Sequence, residues 1–308
     1  MKAAVVQSFD RPPQYADFPE PIPQPGEVLV TVRAAALSQL VRAQASGKHY
    51  SAAAALPLVP GADGVGRLAD GRRVYFAFPR PPVGAMAERV AVSAAYVTPL
   101  PDDVDDVTAA AVANPGMSAW AALTLRAGFK AGEAVLINGA TGAAGRLAIQ
   151  IAKHLGASRV VATGRNASSE ADLRGLGADA FVPLDLPPAE LEAALRTEAE
   201  GGSSGGVDVV LDYLWGASAE RIVAAVTGPG MKPAPGAAAR RVRFVNIGSL
   251  AGPTVALPAA ALRSSGLELL GSGLGSASNE ALVKVVGEVL KAVRPAGLTV
   301  AADPVPLA

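Results

Sequence analysis

The residues best suited to chemistry are AVLINGATGAAGRLAIQIAKHLGA, positions 134–157. An apolar run leads into Gly139, Gly142 and Gly145. Leu147, Ile149, Ile151 and Ala152 follow with the spacing of a helix face, and Gly156 stands where a left-handed C′ residue is wanted. Read against G-x-G-x-x-G, the three positions are Ala140, Gly142 and Gly145, with alanine in place of the first glycine. Gly142 would let a pyrophosphate approach backbone N–H groups, and Gly145 would let the helix pack on its strand. The helix N-terminus offers partial positive charge. Ala140, Thr141, Gly142, Ala143 and Ala144 are therefore the expected cofactor-binding cradle. The bland alternative is a tight strand–helix turn that holds nothing.

The next apolar run tests this. It reads Arg159-Val160-Val161-Ala162-Thr163 and ends in Gly164-Arg165-Asn166. An NAD site places Asp or Glu here to bond the ribose 2′-OH, and that carboxylate would repel a 2′-phosphate. Glycine leaves room, and arginine pairs with phosphate bidentately. Gly164, Arg165 and Asn166 thus predict NADPH over NADH. Otherwise Arg165 is only a solvated loop residue.

These residues need a scaffold. From residue 132, strand-like runs (Ala134–Ile137, Arg159–Ala162, Ala178–Pro183, Val207–Leu211, Val242–Ile247, Leu267–Gly271) alternate with helix candidates (Gly142–Leu155, Ser168–Gly175, Pro188–Thr197, Ala217–Val226, Ala256–Leu262). That rhythm implies parallel β-α-β units, and uninterrupted apolar strands imply a sheet covered on both faces. The expected fold is α/β, a Rossmann doubly wound parallel sheet with ligand at the strands' carboxyl ends. Leu214, Ile247, Gly248 and Ser249 follow the fourth and fifth strands and are further expected cofactor contacts. The first ~115 residues differ: short runs such as Ala3–Val6, Glu27–Val32, Arg73–Phe78 and Ala87–Val92 lie between Pro/Gly-rich stretches including Pro57–Gly66, as in a small antiparallel sheet or partial barrel. A helix is expected over Asp103–Ala113, another over Asn279–Val293, and a strand over Leu298–Ala302.

Composition narrows the function classes. Lys plus Arg and Asp plus Glu are each 27 of 308 residues, which argues against a nucleic-acid partner but not against one anionic ligand in a pocket. Cysteine is absent and His49 and His154 are the only histidines, so thiolate-bound zinc, iron–sulfur clusters and histidine-rich metal sites are excluded. His154, near the end of the helix after the glycine turn, reads as structural, its charge favoured by the helix dipole. Two uncharged stretches, Val107–Leu125 and Phe244–Leu262, are interrupted by Asn114-Pro115-Gly116 and by several Gly and Pro residues; they read as buried soluble segments. No signal peptide is expected in MKAAVVQSFDRPPQ, so the expectation is a cytoplasmic protein with no membrane partner.

The whole chain resembles the zinc-free quinone oxidoreductase-like branch of the medium-chain dehydrogenase/reductase superfamily. The pieces are MKAAVV, PGEVLVTV, SGKHY at 46–50, PLVPGADGVGRL at 57–68, DGRRVYF, AMAERVAV, NPGMSAWAAL at 114–123, the glycine turn, GRN, VDVVLDYLWG at 207–216, VNIGS at 245–249 and ADPVPLA. Their order and spacing are more specific than any one of them. The resemblance implies a GroES-like β-rich catalytic domain (1–115 and 276–308) around a Rossmann dinucleotide-binding domain (116–275), with the substrate cleft between. It implies hydride transfer from NADPH to a quinone or α,β-unsaturated carbonyl, a small-molecule substrate, and a homodimer paired around Leu267–Gly273. Ser118 matches the residue that contacts the nicotinamide-side phosphate or ribose; alternatively it bonds its own helix backbone. Zinc-using relatives carry a cysteine within Ala36–Val41 and a His-Glu pair where Ala62-Asp63 stands, so no metal site is expected. Tyr50 is the favoured hydrogen-bond donor to the developing oxyanion and Ser38, where relatives often have Asn, a minor one; Tyr50 could equally only shape the pocket. The family pattern usually continues past ADPVPLA with a helix and a final strand; either that tail is trimmed here or it is shorter in this chain. Two other functions fit the pattern: metal-free alcohol/ketone chemistry, and a non-catalytic NADPH-binding protein.

Overall fold

The computed structural model describes residues 1–48, 55–201, 205–228 and 240–308. The chain forms two compact units: Met1–Asn114 with Ser278–Pro295 and Thr299–Ala308, and Pro115–Ala277 with Ala296–Leu298.

The first unit is a β structure. β1 (Lys2–Val5) and β2 (Gln14–Asp17) form an antiparallel pair. β3 (Glu27–Ala34), β4 (Asp63–Arg67), β5 (Arg73–Ala77), β6 (Arg89–Ser93) and β7 (Val97–Pro99) form an antiparallel sheet in the order β6-β3-β4-β5-β7. Ala3, Val5, Val30, Val74, Phe76, Val90 and Val92 share one buried core. α1 (Gln39–Ala45) starts at Ser38, whose Oγ accepts from Val41 N at 3.3 Å. β4 lies inside the stretch that reads as proline–glycine punctuation. Its glycines are there because strands approach closely: a Cβ on Gly66 would lie 2.4 Å from the Thr31 carbonyl oxygen.

α2 (Asp106–Ala121) corrects the expectation that Asn114-Pro115-Gly116 breaks the chain: the helix runs through Pro115. Proline inside a helix costs about 3 kcal/mol. Ala109, Ala110, Val112, Ala113, Ala119 and Ala121 are buried around it and offset that cost. A six-residue π turn, Ala122–Ala127, continues to Gly128 (φ 58°).

The second unit is the doubly wound sheet. β8 (Ala134–Asn138), α3 (Ala143–His154), β9 (Arg159–Gly164), α4 (Glu170–Gly175), β10 (Ala180–Pro183), α5 (Pro188–Glu200), β11 (Val209–Asp212), α6 (Gly216–Thr227), β12 (Arg241–Asn246), α7 (Ala259–Arg263) and β13 (Gly266–Gly271) alternate. All six strands are parallel, in the order β10-β9-β8-β11-β12-β13. Every residue of β8 and β11 is buried, as a sheet covered on both faces requires. The strand order reverses between β8 and β11, so the glycine turn after β8 lies at the topological switch point. Opposite the turn, buried Arg243 pairs with Glu133 at 2.8 Å.

The chain ends its regular structure with α8 (Asn279–Ala292). The strand expected over Leu298–Ala302 is not formed. Residues 299–302 are largely exposed and no described strand pairs with them, so their β-branched residues have no surface to cover. No helix among the described residues is long and apolar enough to cross a membrane.

Candidate cofactor site

Gly139 turns the chain out of β8 with φ 90°, which favours glycine. Its N–H donates to Thr163 Oγ1 at 3.2 Å, and Ala140 N donates to the Thr163 carbonyl at 2.8 Å. These bonds fasten the turn to β9. Ala140 is fully buried, so the position that departs from G-x-G-x-x-G is filled by a methyl facing protein. Gly164 is buried beneath Thr141: a Cβ there would lie 2.6 Å from Thr141 Cγ2.

Gly145 and Gly142 serve different needs. A Cβ on Gly145 would lie 2.4 Å from the Gly139 carbonyl oxygen and 2.6 Å from Ala140 Cα, so α3 sits on the turn too closely for any side chain. Gly142 has an ordinary φ of −76°, and a Cβ there would meet no protein atom within 4 Å. Nothing in the fold demands glycine at 142; the space over it is open. The first helical bond at this end is Arg146 N to Gly142 O. The N–H groups of Ala143, Ala144 and Gly145 precede this first helical bond. They are the orphan donors of a helix start, with no side-chain cap. Gly142 and Ala143 are exposed.

Arg165 is exposed, and its side chain has no hydrogen bond or ion pair among the described residues. Asn166 accepts through Oδ1 from Ser168 N at 3.0 Å and Ser168 Oγ at 2.8 Å, capping a short 3₁₀ turn and fixing the direction of its amide.

Ser118 Oγ donates to the Pro115 carbonyl at 2.7 Å and lies 3.5 Å from Tyr213 Oη. Its hydroxyl is thus engaged with its own helix. Burial pushes the Tyr213 phenol well up, opposed by the Ser118 contact. Leu214 covers Gly139; a Cβ there would lie 2.9 Å from the Leu214 side chain. Ile247 and Gly248 are half-buried and Ser249 is exposed just past β12. A Cβ on Gly248 would lie 2.7 Å from the Tyr213 carbonyl oxygen.

Four residues to which the sequence analysis gives no role stand in a row at the strand ends. Thr163, Asn138, Asp212 and Asn246 are matched in register across β9, β8, β11 and β12. Thr163 Oγ1 donates to Asn138 Oδ1 at 2.9 Å; Asn138 Nδ2 donates to Asp212 Oδ1 at 2.7 Å; Asn246 Nδ2 donates to Asp212 Oδ2 at 3.2 Å. Burial raises the Asp212 carboxyl, against donors from Trp215, Asn138, Asn246 and Leu214. Each is an isolated polar residue ending an apolar run, which is the signal that could have found them.

In the first unit, Asp63 is buried and accepts from Tyr75 Oη at 3.0 Å and Asn114 Nδ2 at 3.2 Å. Burial raises its carboxyl to about 6. Among the described residues no cluster of three His, Asp or Glu could hold a metal ion. Tyr50 and His49 lie outside the described residues.

A switch-point turn leading into an uncapped helix start, in a 3-2-1-4-5-6 parallel sheet, defines the second unit as a dinucleotide-binding domain of the Rossmann class. Comparison with known proteins is consistent and more specific. The zinc-binding dehydrogenase family matches residues 143–291. The chain is 30% identical to a protein of Emericella nidulans named "Probable NADPH-dependent quinone reductase tdiC", over 92% of this chain and 88% of that one. It is 30% identical to an NADPH-dependent alkenal/one oxidoreductase of Arabidopsis thaliana, over 67% of this chain and 57% of that one. The quinone oxidoreductase of Thermus thermophilus, solved also in complex with NADPH, superposes with TM-score 0.77 and 29% identity, covering 96% of this chain and 89% of that one. The chain belongs to the quinone oxidoreductase-like branch of the medium-chain dehydrogenase/reductase superfamily.

Proposed function

We propose that this chain is an NADPH-dependent oxidoreductase that transfers hydride to a quinone or an α,β-unsaturated carbonyl. The observation that carries the cofactor is the uncapped helix start, with the amides of 143–145 beside the open space over Gly142. They fit a pyrophosphate, with Thr141–Ala144 as its cradle, Ala140 instead fastening the turn to β9 through its N–H, and Leu214, Ile247, Gly248, Ser249 and Ser118 along the remainder of the nucleotide. Arg165 has no carboxylate partner among the described residues and Asn166 keeps its Nδ2 for a phosphate oxygen; together they suit a 2′-phosphate, whereas the room at Gly164 is taken by Thr141. The substrate class follows the relatives, named for quinones and for alkenals and alkenones.

The bound nucleotide supplies the hydride. The chain's own task is to stabilise the enolate- or phenolate-like oxygen that results and to deliver a proton. Tyr50 is the proposed donor, with Ser38 secondary; Ser38 Oγ accepts from Val41 N and so keeps its proton for another acceptor. We read the reaction as zinc-independent, since the chain has no cysteine and two histidines. The first unit is the proposed catalytic domain and the second the cofactor domain. β13 ends the six-stranded sheet, and no described strand covers its outer edge; pairing with a second copy there would give a homodimer.

The test follows NADPH absorbance with 1,4-benzoquinone, an enone and a saturated ketone. Turnover of the first two supports the reading. Turnover of the ketone alone points to carbonyl reduction, and NADPH binding without turnover to a non-catalytic protein.

A further inference from the structure

Each member of the row Thr163–Asn138–Asp212–Asn246 also reaches a segment leaving the sheet. Thr163 Oγ1 accepts from Gly139 N, at the entry to the glycine turn. Asn138 Nδ2 also donates to Ser218 Oγ, in the first turn of α6, at 2.9 Å. Asp212 accepts from Leu214 N at 3.1 Å and from Trp215 N at 3.0 Å. Asn246 Nδ2 donates to the Gly248 carbonyl at 2.8 Å. Trp215 holds φ 59°, a left-handed conformation unusual for a large side chain, so something must over-determine it. The Asp212 carboxylate does this. All the groups around it are donors: two side-chain amides and two backbone N–H groups. The donors also set each amide's direction, since Asn138 must turn its oxygen to Thr163 and its nitrogen to Asp212. Asn138, Thr163 and Asp212 are each fully buried.

We propose that Asp212 is a positioning residue which, through this row, holds the glycine turn, the 213–216 turn and the 247–249 segment as one unit for the nucleotide without touching it. The row is a chain of bonds running across four strands toward one carboxylate, so losing the Thr163 hydroxyl leaves Asn138 Oδ1 without its donor, frees that amide to turn and loosens its hold on Asp212. The nucleotide clause rests on the proposed cofactor; the mechanical clause does not.

The test uses Asp212→Asn, Thr163→Val and Thr163→Ser in the full chain. Amide exchange at Gly139, Leu214 and Trp215 is measured on the ligand-free protein, and KM for NADPH and kcat on the enzyme. Thr163→Val removes a hydroxyl that touches Gly139 and Asn138 but neither Leu214 nor Trp215. A coupled row predicts faster exchange at all three amides in both Thr163→Val and Asp212→Asn. It also predicts an NADPH KM raised roughly tenfold while kcat at saturation changes little, the loss expected when a buried acceptor is replaced by a donor. Thr163→Ser keeps the hydroxyl and should restore wild-type exchange and KM. Faster exchange at Gly139 alone in Thr163→Val overturns the coupling. An unchanged NADPH KM in folded Asp212→Asn overturns the nucleotide clause. Should the wild type show no affinity for NADPH, the cofactor reading fails and the exchange result still decides the row. Should Asp212→Asn not fold, the two Thr163 variants decide it.

Discussion

Gly142 and Gly145 sit three residues apart in one turn, yet their replacement by alanine should give opposite results. In Gly145→Ala the new Cβ falls 2.4 Å from the Gly139 oxygen and 2.6 Å from Ala140 Cα, both backbone atoms of a turn fastened to β9. No rotamer relieves that, so α3 or the turn must move, at about 1–3 kcal/mol or more of stability. In Gly142→Ala the Cβ meets no protein atom within 4 Å and φ is −76°, compatible with alanine. Alanine is a poorer helix N-cap than glycine but a less flexible unfolded residue, and the two effects, each under about 1 kcal/mol, largely cancel. The methyl instead enters the space where phosphate would meet the uncapped amides of 143–145. Preventing one charge-assisted hydrogen bond of about 1.5–3 kcal/mol weakens NADPH binding by about 10- to 150-fold. Thermal unfolding and calorimetric titration of both variants separate the roles. A Gly142→Ala protein of wild-type stability and wild-type NADPH affinity would remove the pyrophosphate from this turn. A Gly145→Ala protein as stable as the wild type would refute the packing argument.

Arg165→Ala should raise KM for NADPH by roughly tenfold and leave that for NADH unchanged, because an exposed pair with phosphate is partly screened; an unaltered NADPH/NADH ratio denies Arg165 the 2′-phosphate. Asp63 makes stability depend on pH. Its carboxyl is raised from 3.8 to about 6 by burial, so between those values the folded state holds more proton than the unfolded state. Stability therefore falls as pH rises through that window and levels off above it, by up to about 3 kcal/mol. Denaturant titrations of the wild type should show this slope, and Asp63→Asn should flatten it. Arg243→Ala leaves Glu133 without its cation and should cost about 3–5 kcal/mol in unfolding experiments, with NADPH affinity in the folded protein unchanged.

The sequence by itself determined the second unit's strand and helix alternation and the place of the glycine turn, because both are written in local patterns. Apolar runs of strand length followed by helix-period residues leave little other choice, and Gly139, Gly142 and Gly145 mark the bend whatever surrounds it. The roles expected of Ser118, Ser38 and Tyr50 came from family resemblance, since no local pattern announces them. What the tertiary structure alone decided was which polar residues meet. Asn138, Thr163, Asp212 and Asn246 lie up to 108 positions apart, and only the strand order brings them into one row. Tertiary packing also carried α2 through Pro115, where local propensity says stop, and left Leu298–Ala302 without a strand, where local propensity says go. It divided the two glycines as well: the motif treats them alike, but backbone crowds one and open space faces the other. Long-range contact is a property of the assembled sheet, and no single segment of the chain contains it.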